Sequence, residues 1–188
     1  MSGNSKNTAQ WSDADVYLAD VDTEGPEDLA ESWGSLWELV GLLDGSEGFT
    51  ESREEETSEK YAWGGRLYRR TKSQHKRSIK FVALEDNKAT FRLVNPGSTR
   101  TTVDGVRRSK VVVPKSDAFA IGFELRDGDR VKRRFVKHAE VSEIGDVKDG
   151  EEDSTVYEIT VLIFPEDDGT LYTTVESDPA AVASGSAS

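Results

Sequence analysis

AFAIGFEL, residues 118–125, sorts cleanly by parity. In an extended chain Phe119, Ile121, Phe123 and Leu125 share one face, and Ala118, Ala120, Gly122 and Glu124 share the other. The first face is core. The second is small or polar, which fits either solvent or the close approach of another surface. TVYEITVLIF, residues 155–164, repeats the pattern: Tyr157, Ile159, Val161 and Ile163 lie opposite Glu158 and Thr160. KVVVPK, VKRRFVKHAEV and TLYTTV are further β-branched and aromatic segments. The turn dipeptides Asp104-Gly105, Asp127-Gly128, Asp149-Gly150 and Asp168-Gly169 punctuate them.

Upstream, WELVGLLD (37–44) reads as a strand running into the turn Asp44-Gly45-Ser46, and SIKFVAL (78–84) as another strand. Pro26-Glu27-Asp28 suits the first turn of a short helix, with proline and acids at the positive dipole end. LEDNKATFRLVN (84–95) fits one amphipathic helix of about three turns, stopped by Asn95-Pro96-Gly97. About seven or eight strands around one helix predict a mainly β fold, a β-sandwich or barrel-like domain with a helix packed on it. The boundaries read as a flexible N-terminal tail over 1–13, one domain over 14–176 and a flexible, low-complexity tail over 177–188.

The length of 188 residues suits a single hydrophobic core. At 35% apolar and 32% charged, either the surface is unusually charged or much of the chain is loop. With no cysteine there is no disulfide framework and no thiolate chemistry. No apolar run is long enough to span a membrane, and the first residues do not resemble a signal peptide. The net charge of −12 is strongly segregated. Residues 1–59 carry 16 acids and 2 bases, residues 60–138 carry 7 acids and 21 bases, and residues 139–188 carry 13 acids and 1 base. Such blocks favour contact between segments of opposite sign, within one chain or between copies.

Catalytic and cofactor signals are missing. His75 and His138 have no ligand spacing, Gly64-Gly65 precedes a strand rather than opening a phosphate-binding helix, and no Gly-x-Ser-x-Gly elbow occurs. Asp146, Asp149, Glu151, Glu152 and Asp153 lack the spacing of a calcium loop and read as a solvated acidic loop. Expected, therefore, are no catalytic residues, no metal and no cofactor. Arg69-Arg70, Arg107-Arg108 and Arg133-Arg134 invite a nucleic-acid face, but neighbours on a strand point to opposite sides, so each pair splits. Acidic flanks around the basic centre also oppose phosphate binding.

The order of segments resembles the major tail protein, or tail tube protein, of long-tailed, non-contractile phages, especially those of actinobacteria. The likeness runs over residues 14–176. It is carried by DVYLADVDTEGPEDL, by WELVGLLDGSEGFTE, by YAWGGRLYRRTKSQHKRSIKFVALEDN and by the closing pair YEITVLIFPEDDGTLY. The resemblance implies a β-sandwich with one flanking helix, assembled as hexameric rings that share a sheet between subunits and stack into a tube. It further implies double-stranded DNA passing through the lumen without specific binding, and tape-measure, tail terminator and tail tip proteins as partners. The place of such a protein is the virion tail, assembled in the host cytoplasm, with no membrane.

Within that frame the acidic run FTESREEETSEKYAW (49–63) either lines the channel or forms the tip of a hairpin reaching the next ring. Alternation puts Glu51, Arg53, Glu55, Thr57 and Glu59 on one face, and Ser52, Glu54, Glu56 and Ser58 on the other. The candidate channel-lining or ring-stacking acids are Glu51, Glu54, Glu55, Glu56, Glu59, Glu124 and Glu158. The candidate inter-subunit bases are Arg69, Arg70, Arg107, Arg108, Arg133 and Arg134. Trp33 and Trp37 are read as core or as an inter-subunit anchor. Two other readings stand beside this one: a ring-forming tube protein of a contractile tail or secretion needle, and a monomeric β-rich binding module.

Overall fold

The computed structural model describes residues 8–151 and 154–178. The tail segments 1–7 and 179–188, and Glu152 and Asp153 of the acidic loop, lie outside the described residues. Ten strands and one helix follow in chain order. They are β1 (Asp13–Asp20), β2 (Glu38–Leu39), β3 (Thr50–Tyr61), β4 (Leu67–Ala83), α1 (Lys88–Val94), β5 (Thr99–Val103), β6 (Val106–Lys110), β7 (Phe119–Asp127), β8 (Arg130–Ile144), β9 (Tyr157–Ile163) and β10 (Thr173–Glu176). Eight strands form one antiparallel sheet in the order β2-β1-β7-β8-β9-β4-β3, with β10 alongside β8, while β5 and β6 make a separate hairpin.

The mainly β architecture with one helix is the one the alternation predicts, but the sheet is not closed into a barrel, since β2 and β3 are its two ends. Segment 38–44, which includes β2, laces β1 to β4. Leu39 pairs with Tyr17 and Val40 donates to the Val16 carbonyl on the β1 side. On the β4 side Leu43 bridges Ala83, Asp44 donates to the Val82 carbonyl, and Leu84 donates to the Leu42 carbonyl. WELVGLLD is thus mostly a strap rather than the strand its apolar run suggests.

The main core holds the odd face of β7 (Phe119, Ile121, Phe123), the odd face of β9 (Ile159, Val161, Ile163), and Val16, Leu18, Ile79, Phe81 and Leu93. Each large side chain buried this way contributes about 1.5–3 kcal/mol. The even face of β7 is buried as well. Ala120 packs with Ala19, Trp33, Trp37 and Phe135 in a second cluster. A Cβ on Gly122 would sit 2.2 Å from the Trp33 ring, so glycine there admits the indole. The surface approaching that small-residue face is the loop before β2, and both tryptophans are core.

Three local expectations fail for clear reasons. The helix has two turns, not three: Asn87 caps it by accepting from the Thr90 amide at 3.0 Å, and Leu84 is committed to the strap. KVVVPK is not a strand beyond Lys110. Pro114 lacks an amide hydrogen, and Val111 and Val113 have no sheet to bury against and remain exposed. Pro26 opens no helix. Instead the Asp28 carboxylate accepts from the Ala30 and Glu31 amides at 2.8 Å, holding a bend. In addition, RLYRRTKSQHKR and SIKFVAL are one continuous strand, the 17-residue β4.

Candidate assembly surface

Strand β9 supports β4 only over Arg77–Ala83. Beyond Arg77, β4 pairs with β3 alone, and β3 is an end of the sheet. Residues 53–76 therefore form a two-stranded arm projecting from the body, about 30 Å long at roughly 3.4 Å per residue. Every side chain described from Ser52 to Lys76 is exposed. The arm turns at Gly64 and Gly65, whose φ values of 83° and 78° suit glycine; the Gly65 amide donates to the Ala62 carbonyl.

The acids of β3 meet the bases of β4 across this ladder. Lys72 reaches Glu55 at 2.7 Å, His75 reaches Glu55 at 3.4 Å, Arg70 reaches Glu59 at 3.6 Å and Lys76 reaches Glu54 at 3.6 Å. Hydrogen bonding from Lys72 holds the Glu55 carboxyl below its ordinary range. Two bulges interrupt the register, between Glu54 and Glu56 and between Lys60 and Tyr61, and at each β4 carries the extra residue. The β3 alternation expected for residues 51–59 therefore runs through unbroken. Glu56 and Arg69 make no ion pair among the described residues.

At the root of the arm Glu51 is held by Arg134 at 2.8 Å and by Arg77 at 3.4 Å, with the Tyr172 hydroxyl at 3.4 Å. Burial raises its pKa, but the attraction of Arg134, Arg53 and Arg77 outweighs this and the net shift is downward. Arg134 also lies over the Tyr172 ring, 4.5 Å from its centroid.

Glu124 and Arg133 are turned inward and joined. Glu124 is 5% exposed and accepts from Arg133 Nε, Trp33 Nε1 and Arg126 Nη1, each at 2.7 Å. Burial pushes its pKa up; those three donors push it down further. Arg133 and Arg134 occupy opposite faces of β8, as alternation requires. Glu158 is exposed on β9 and pairs with Lys80 at 2.6 Å. Arg107 donates to the Asp86 carbonyl at 2.9 Å from the exposed β5–β6 hairpin, while Arg108 stays exposed.

The tip of the arm carries residues that charge-based reading passes over. Tyr61, Trp63, Leu67 and Tyr68 are all exposed, Trp63 completely. YAWGGRLY marks a turn at Gly64-Gly65, but that its aromatics have no core within reach follows from where β9 stops pairing with β4. The described residues contain no group of acids, histidines and cysteines able to hold a metal, and no helix long and apolar enough to cross a membrane.

The described residues form an antiparallel β sheet with a buried ion-pair network and a projecting two-stranded arm, a mainly β fold. The family model for phage tail tube proteins matches residues 1–186, and the chain belongs to that family. It is a structural tail tube subunit of the virion, not an enzyme. No curated protein matches the sequence. Among solved structures the chain is similar to a sheath/tube terminator of an extracellular contractile injection system, PVC, with 11% identity, a TM-score of 0.52, and coverage of 91% of this chain and 99% of that one. It also matches the PVC sheath-tube complex (11% identity, TM-score 0.49, 90% and 93% covered). A third match is the tube-terminating cap of the anti-feeding prophage (12% identity, TM-score 0.47, 93% and 98% covered). At these identities the first likeness supports the fold.

Proposed function

We propose that copies of this tail tube subunit close into hexameric rings, and that the rings stack into a hollow tube conducting double-stranded DNA through a long, non-contractile tail. The observation that carries the reading is the β3–β4 arm. A ladder exposed on both faces and tipped with aromatic side chains gains burial only against another molecule. The free edge of β3 supplies unpaired backbone for a neighbour, so that a shared sheet removes an aggregation-prone edge. Glu54, Glu55, Glu56, Glu59 and Glu158 are assigned to the bore or to the contact between rings, where carboxylates keep phosphate at a distance. Arg69, Arg70, Arg107 and Arg108 are assigned to contacts with neighbouring subunits. Glu51, Glu124, Arg133 and Arg134, engaged inside the subunit, act there as structural groups. Tape-measure, terminator and tip proteins are the partners of the assembled tube.

The test is negative-stain microscopy and reconstruction of the concentrated recombinant protein. Six-fold rings and tubes are expected. Sedimentation as a stable monomer at high concentration across a range of salt overturns the reading in favour of a binding module. A bore coated with arginine and lysine overturns the conduit role.

A further inference from the structure

The apolar side chains at the arm tip sit within a stretch of one sign of charge. Residues 60–72 carry five bases and no acid. At the other end of β4 a cleft of about 560 Å³ opens between the strap and the start of β1. Leu39, Leu42, Leu43, Phe49 and Phe81 line it, and Leu39 and Leu42 are 47% and 67% exposed. Its charged lining groups are all acids: Asp13, Asp15, Asp44 and Glu85. Arg126 offsets Asp13 and Asp15 from outside the lining, and the rim stays negative.

Tip and cleft therefore match in two independent respects, exposed aromatics against an apolar floor and bases against an acidic rim. They also lie far apart on one subunit. Leu67 opens β4 beside the tip and Val82 lines the cleft, a separation of about 50 Å of extended strand. A tip cannot reach the cleft of its own chain. We infer that the Trp63 tip of one subunit seats in the strap cleft of a second copy, so that the contact runs head to tail. This rests on the tube reading above. A contact between two different patches leaves each subunit one free patch of each kind, so it closes into a ring where the rotation closes and otherwise propagates along an axis. Trp, Tyr and Arg are the side chains that dominate such interfaces, and opposite charge fixes partner and register.

The absence of cysteine makes the contact directly testable. Ala62→Cys places a thiol beside Trp63. Gly45→Cys places one in the cleft lining, where the added Cβ meets open space and φ is not positive. The control is Ser32→Cys, in a separate cleft formed by Glu24, Glu27, Trp33 and Phe135. Single variants are mixed pairwise under tube-forming conditions and treated with a short bis-maleimide. The A62C–G45C mixture is expected to give the cross-linked dimer, and the A62C–S32C mixture is not. Trp63→Ala is expected to raise the protein concentration needed for tubes at least tenfold without shifting subunit unfolding, and Trp63→Phe to restore most of it. Tubes that form without an A62C–G45C cross-link, or with A62C–S32C instead, overturn the cleft while leaving the tube reading intact. Failure of the unmodified protein to form rings or tubes under any condition overturns both.

Discussion

Gly122 shows how one missing side chain shapes the fold. Phe119, Ile121 and Phe123 are packed into the main core from one side of β7. On the other side the Trp33 ring lies against the Gly122 backbone, stacked on Tyr17 at 4.6 Å and edge-on to Trp37 at 5.0 Å. That seat aims Trp33 Nε1 at Glu124, whose charge is then neutralised by Arg133. The backbone of Gly122 is ordinary extended chain, so the constraint is steric rather than conformational. Gly122→Ala must displace an indole gripped on two sides, and is expected to destabilise the subunit by about 2 kcal/mol. The measurement is a urea melt followed by tryptophan fluorescence, with a red shift in the folded baseline as Trp33 is pushed outward. An unchanged midpoint would mean that the loop before β2 gives way freely. Glu124 and Arg133 carry the related lesson that a charge in a sequence does not announce its surroundings. Both read as surface groups until Trp33, 91 residues from Glu124 in sequence, covers them.

The arm is where local pattern and tertiary context part company. Its alternation was legible because β3 is continuous and both bulges fall on β4. The parity of β7 and β9 was legible for the same reason, since a pleat imposes period two wherever one face meets a core. The length of α1 was not, because the spacing of Leu84 and Phe91 is blind to the strap that claims Leu84. The arm's projection was not legible either: a sequence does not show where β9 stops supporting β4, and so hides which aromatics are left at a free tip. The cross-strand ion pairs on the arm are exposed, and such pairs set register more than they add strength. Replacing Glu54, Glu55 and Glu56 together by lysine is accordingly expected to leave the thermal midpoint of the isolated subunit within a few degrees. Assembly should fail nonetheless, because the variant opposes like charges across the ladder with Lys72 and Lys76 and misdirects its approach to a second copy. Calorimetry and microscopy on the same preparation separate the two effects, and unaltered tubes would reduce those acids to solvation.

Taken whole, the subunit folds its charge blocks onto one another. The acidic first third meets the basic middle through Asp13 and Asp15 on Arg126, Asp20 on Arg92, Glu24 on Lys137, Glu38 on Lys88 and Glu51 on Arg134. The acidic last third does the same through Glu158 on Lys80 and Glu176 on Lys132. This distribution fixes how stability depends on pH. Asp13, through its hydrogen bond from Arg126, has a pKa below the ordinary value, as do Glu51 and Glu124, where buried donors outweigh burial itself. A carboxyl whose folded pKa is depressed contributes stability that is fully present above its unfolded pKa and is lost as pH falls through the folded one. The arginines and lysines on the other side, Arg92, Lys137 and Lys80, are shifted upward, so their contribution is complete throughout the neutral range. Stability is therefore expected to be flat from about pH 6 to 8 and to fall steadily below about pH 4.5. There, protonation also leaves 24 lysines and arginines without counter-charge, and their mutual repulsion adds to the loss. Glu124→Gln tests the assignment within the same titration. At pH 7 it strands Arg133 beside a neutral amide and costs about 3–5 kcal/mol, as for a buried pair that loses one member. Because that carboxyl no longer titrates, the slope of stability against pH below 4.5 becomes shallower than in the parent. Urea melts at half-unit pH steps read both quantities, and an equal slope in the two proteins would show that the acid transition is driven by surface carboxylates alone.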